Sequence, residues 1–135
     1  MPMKIEVDVI GLDRTLKKLD WSKREVRRQM RAAMRKSVAL VQKRAATYPP
    51  PLPASRYQRT GTLGRSITSR VQLMLRNVLG IVGTRVYYAT YVIGPRQAWM
   101  HRGRWHTLRG IAKSSLEEIL QFFKEAVEFI KRGFQ

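Results

Sequence analysis

The sequence predicts an α+β domain, a small antiparallel β-sheet with two long amphipathic α-helices packed on it. Three observations lead there. Ile67, Val71, Leu73 and Leu75 share one parity while Thr68, Arg70, Gln72 and Arg76 share the other, the period-two signature of a half-buried strand. A second run, Val78 to Val86, is rich in Val, Ile and Thr, and Asn77 stands between the two where a tight turn is tolerated. The segments 22–47 and 114–132 repeat apolar residues at three- and four-residue spacing, the pattern of helices with one greasy face.

In chain order, Lys4 to Ile10 alternates charged and apolar residues and predicts an edge strand over 4–10 with Ile5, Val7 and Val9 inward. Gly11 ends it, and Asp13 is placed to cap a short helix over 12–19 carrying Leu12, Leu16 and Leu19. The long helix over 22–47 opens on Ser22-x-x-Glu25, a capping box in which hydroxyl and carboxylate each take one orphan amide, with Trp21 and Val26 at the staple positions. Its expected core face is Val26, Met30, Ala33, Met34, Ser37, Val38, Val41 and Ala45. Its other face carries Arg24, Arg28, Arg31 and Arg35 in a stripe, which reads either as a solvated face or as an anion-facing ridge.

Pro49 biases Tyr48 away from helical angles, and a proline-rich loop is expected over 48–59, its first six residues as polyproline II. The hairpin region is expected over 63–93. It is followed by a projecting loop over 95–106 in which Trp99 and Trp105 alternate with Arg96, Arg102 and Arg104. Such a mixture stacks on bases and neutralises phosphates, or anchors a protein contact, unless the tryptophans fold back as core. The helix over 114–132 opens on two overlapping capping boxes, Ser114 to Glu117 and Ser115 to Glu118. Leu116, Ile119, Leu120, Phe123, Val127 and Ile130 fill the arc that one sheet can cover, and Phe122, Ala126 and Phe129 add a shoulder beside it. Phe122 and Phe129 are therefore expected at a contact with another subunit, together with the Trp99 to Trp105 loop.

Composition bounds the function. The 135 residues make one domain, long enough to hold a core without staples. The absence of cysteine excludes thiolate chemistry and Cys-based zinc sites. No apolar run approaches the roughly 20 residues that span a bilayer, and no signal-peptide h-region opens the chain, so no membrane partner is expected and work begins in a cytoplasm. Lys and Arg number 27 against 9 Asp and Glu, a formal net charge of +18. Acidic residues stop at Glu25 and resume at Glu117, leaving a wholly basic window between them. That field favours a polyanion or an acidic protein surface nearby. No Ser, His and Asp set and no P-loop is present, and His101 and His106 have no carboxylate near them in sequence. No catalytic residue, metal, cofactor or small-molecule substrate is therefore expected.

The order of elements resembles one family, the tail-component or neck proteins of long-tailed bacteriophages, found near the joint between head and tail. The resemblance spans nearly the whole chain. Thr60-Gly61-Thr62-Leu63-Gly64-Arg65-Ser66-Ile67 is similar to the family's T-G-x-L-x-x-S-I, and Tyr88-Ala89-Thr90-Tyr91-Val92 to its Y-A-x-Y-V. The opening strand with Gly11-Leu12-Asp13, the long helix ending in Ala45-Ala46 before prolines, and the C-terminal amphipathic helix complete it. Where the family often has a Glu after that last Val, this chain continues Ile93-Gly94-Pro95. The resemblance implies a non-enzymatic virion protein, a building block of a ring at the neck or tail end. Its partners would be copies of itself and other phage neck and tail proteins, met in the host cytoplasm during assembly, with non-specific DNA proximity. From the residues alone, a basic nucleic-acid-binding module is the alternative, and a small toxin-type ribonuclease using Arg, His and Tyr a third.

Overall fold

Helix α1, Arg24–Ala45, is the element on which the rest of the chain packs. The computed structural model describes residues 3–7, 18–47, 62–75, 77–102 and 105–133. The buried positions of α1 are Val26, Met30, Ala33, Met34, Ser37, Val38, Val41 and Ala45, the face its periodicity predicts. The start of α1 differs from expectation. The Ser22 hydroxyl and amide both donate to Asp20 Oδ1, at 2.5 and 3.0 Å, so the hydroxyl is engaged outside the helix. Glu25 accepts instead from Gln29 Nε2 at 2.9 Å, and the N-cap residue is Lys23, without a side-chain cap. The capping box is thus replaced by a turn on Asp20, while Trp21 and Val26 still bury in the core.

Three antiparallel strands form the sheet: β1 Met3–Val7, β2 Thr68–Leu73 and β3 Val78–Thr84, in the order β1-β3-β2. The hairpin of β2 and β3 pairs Thr68 with Gly83 through Leu73 with Val78, and β1 joins the other side of β3, Met3 with Thr84 through Val7 with Gly80. That register sets Ile5 opposite Val82 and Val7 opposite Gly80. As the central strand, β3 is almost continuously buried, which suits its run of Val, Ile and Gly. Helix α1 crosses it closely. A β-carbon on Gly80 would lie 2.5 Å from both Met34 Sδ and Val38 Cγ1. Gln42 adds a polar tie, donating to the Ile67 carbonyl at 2.8 Å and accepting from Ser69 Oγ at 2.7 Å.

The strands end short of the expected 63–93 region. Thr62–Ser66 is a short helix, α2, and Ala89–Val92 another, α3. Leu75 was expected on the inward parity but is 83% exposed, because the ladder stops at Leu73 and Val78 and the connecting turn, closed by Met74 N donating to the Asn77 carbonyl at 2.7 Å, stands beyond the cover of α1. The strand expected over 4–10 is described as far as Val7. Most of the helix expected over 12–19 and the whole of the proline-rich loop expected over 48–59 lie outside the described residues.

The C-terminal helix starts earlier than predicted, as α4, Leu108–Ser114, followed directly by α5, Leu116–Gly133. Thr107 Oγ1 caps α4 by accepting from Gly110 N at 3.0 Å. Neither expected capping box forms. Ser114 Oγ donates back to the Ile111 carbonyl, and Ser115 Oγ accepts from Arg44 Nη1 at 2.8 Å. Ser115 is fully buried and takes the inward position, so Leu116, about 100° further round, turns outward and is 44% exposed rather than core. The rest of the face holds, with Ile119, Phe123, Ala126, Val127 and Ile130 buried and Leu120 half-buried against them. Helix α5 reaches the core by lying along α1, which is itself packed on β2 and β3.

Candidate polyanion and assembly surface

The outward face of α1 is strongly basic. Arg24, Arg28, Arg31 and Arg35 are all exposed, and among the described residues none of them pairs with a carboxylate. Their spacing keeps them in one row, because residues four, seven and eleven apart return to nearly the same side of a helix. Between this row and the end of β2 runs a groove of about 690 Å³ whose other wall is Leu73. Arg27 closes it at the hairpin end, donating from Nη1 to the Met74 carbonyl at 3.3 Å. The sequence reading missed Arg27, which lies off the arginine row and enters the groove only because the β2–β3 turn comes up beside it. Met74 and Leu75, next along the chain from Leu73, are 44% and 83% exposed.

The loop over 95–106 is fastened rather than free. Ala98 N donates to the Tyr91 carbonyl at 2.8 Å, and Gln97 Nε2 donates to the carbonyls of Val92 and Trp105 at 2.8 and 2.9 Å. Trp99–His101 forms a 3-10 turn, and His106 Nε2 lies 3.3 Å from the Ala45 carbonyl at the end of α1. The two tryptophans divide. Trp105 is half-buried against the core, edge-on to His101 at 5.9 Å, whereas Trp99 is 79% exposed. Arg102 is exposed and lines a second concavity of about 620 Å³ with Lys4 and Arg109, two cations the sequence reading did not connect because they come from β1 and α4. Arg104 lies outside the described residues.

The two motifs are connected through the end of β3. Leu63 and Ile67 are buried, and Ser66 Oγ donates to the Leu63 carbonyl and lies 2.6 Å from Thr84 Oγ1, tying α2 to the end of β3. Thr84 Oγ1 also accepts from Val86 N at 3.1 Å, and Ala89, fully buried, seats α3 just beyond. Val92 is half-buried, while Tyr88 and Tyr91 are 44% and 41% exposed. Thr60 and Gly61 lie outside the described residues.

The two phenylalanines of the last helix also part company. Phe129 is 55% exposed, whereas Phe122 is half-buried against the chain's own core. No helix among the described residues is long and apolar enough to cross a membrane, and no group of metal-binding side chains occurs among them. Comparison with protein-family models, curated proteins and solved structures returned no match.

Proposed function

We propose that this chain is a non-enzymatic structural component of a tailed bacteriophage, a ring-forming neck or tail-completion protein at the joint between head and tail. The observation that carries this reading is the end of β3, to which the first motif is tied and just beyond which the second begins. Ser66, Ile67, Leu63 and Ala89 serve there as scaffold, and Tyr88 and Tyr91 are left exposed, with the Tyr91 carbonyl tied to Ala98, the chain neighbour of the exposed Trp99. Exposed aromatics fixed on a rigid frame suit contact with a protein neighbour. The arginine row supports the same reading, since it offers counter-charge to an acidic neighbour or to DNA passing through a ring. Negative-stain electron microscopy of the purified chain tests it. Annular particles of one diameter are expected; small particles without a ring at every concentration would contradict it.

One observation favours a second reading, a free nucleic-acid-binding module: the groove lined by five arginines with no carboxylate among its described walls. The salt dependence of duplex binding separates the two. Counter-charge within an assembly gives sequence-blind affinity that falls steeply with salt. A sequence-selective complex that survives high salt would favour the second reading.

A further inference from the structure

We infer that the arginine groove of one copy receives the acidic and aromatic stripe of α5 from the next, so that the ring closes through a head-to-tail contact. The inference rests on the ring-forming reading above and specifies which surfaces meet. On α5, Glu118, Phe122, Glu125 and Phe129 repeat the intervals of Arg24, Arg28, Arg31 and Arg35 on α1. Phe122 is half-buried against the chain's own core, however, so the outward part of the row is its C-terminal half, Glu125 and Phe129. Glu125, Glu128 and Phe129 are all exposed, with Phe129 one turn on from Glu125. Glu118 is held by Arg44 at 2.7 Å, whereas Glu128 makes only a long, exposed contact of 3.8 Å with Arg132. Glu125 is therefore the carboxylate on offer, and Glu128 one that can exchange its partner.

The groove answers this stripe in kind. Arginine forks pair with carboxylates through parallel N–H donors, and Arg44 Nη2 already does so within the chain, 2.7 Å from each oxygen of Glu118. Leu73 gives the groove an apolar lip, where an inserted phenylalanine loses water. A phosphate backbone would use the cations and leave that lip uncovered, which favours a protein occupant. The occupant cannot be the same copy's own helix, because α5 packs along the core stripe of α1 while the arginine row is on its exposed side. Two different patches in contact make a heterologous interface, which generates a ring when the rotation closes.

Charge reversal tests this through native mass spectrometry at low salt, with thermal melting to confirm folding. The variants Arg28→Glu with Arg31→Glu, and Glu125→Lys with Glu128→Lys, change only exposed side chains. Each alone is expected to weaken self-association at least tenfold while keeping a cooperative melt. Mixing the two should restore assembly, since Glu stripes then find Arg grooves and Lys stripes find Glu grooves. Assembly as in the wild type for the Arg28→Glu, Arg31→Glu variant would overturn the inference and leave the ring reading standing. The same variant losing only duplex DNA binding would assign the groove to nucleic acid and likewise overturn it. A wild type that is monomeric throughout would overturn both.

Discussion

Gly80 fixes the distance between the sheet and α1. Its missing β-carbon is what allows Met34 and Val38 to rest on β3, and of those two neighbours Val38 has the stiffer side chain. Gly80→Ala should therefore cost about 1–3 kcal/mol by overpacking, read as a fall in denaturant midpoint with unchanged slope. An unchanged midpoint would mean that α1 can lift off the sheet freely. Asp20 makes a second residue-scale prediction. Its hydrogen bonds from the Ser22 hydroxyl and amide hold its carboxyl below the usual range. A depressed folded pKa gives stability that is present above the unfolded carboxylate value, about 3.9, and is lost as pH falls through the folded value. Asp20→Asn should lower the melting temperature at neutral pH, and the gap from wild type should narrow below pH 4. A gap independent of pH would show that the carboxylate charge plays no part in the turn.

At the scale of elements, the join between α1 and the C-terminal helices depends on Arg44. It donates to Ser115 Oγ and grips both oxygens of Glu118. The ion pair is partly exposed and by itself contributes about 0–1 kcal/mol. Arg44→Ala also removes the buried hydroxyl's partner across the join, so a total loss of about 1–3 kcal/mol is expected. A double-mutant cycle with Glu118→Ala should return a coupling below about 1 kcal/mol that shrinks with salt; a large, salt-insensitive coupling would contradict this division. The phenylalanines of α5 should likewise separate. Phe129→Ser is expected to leave melting unchanged within about 0.5 kcal/mol and weaken assembly, whereas Phe122→Ser should lower the melting temperature as a core residue does. Equal loss of stability in both would remove Phe129 from the contact surface. The period of α1 was fully legible in sequence because one face of one helix meets all its partners. The capping boxes were not, since Ser22 and Ser115 have competing partners in Asp20 and Arg44 that no local pattern reveals. Helix α4 escaped notice because Gly110 weakens its helical signal and its cap, Thr107, follows a loop. For the candidate surface, the arginine row was readable as a helical stripe, but Arg27, Met74 and the pairing of Lys4 with Arg102 and Arg109 arise only when distant segments come together.

For the whole molecule, unlike surfaces stand on separate elements. The described surface sets a row of arginines on α1, exposed aromatics around α3, and Glu125, Glu128 and Phe129 on α5. A domain with a net charge of +18 repels its own copies unless such unlike surfaces meet or an anion lies between them. The central claim is that this chain is an assembly unit that closes on itself. The most direct measurement is the native mass of the wild-type protein over a range of concentrations in low salt. The account predicts one dominant species above a threshold concentration, a fixed multiple of the 15.7 kDa chain that does not grow further. A monomer at every concentration, or an open ladder of masses without a preferred size, would contradict it.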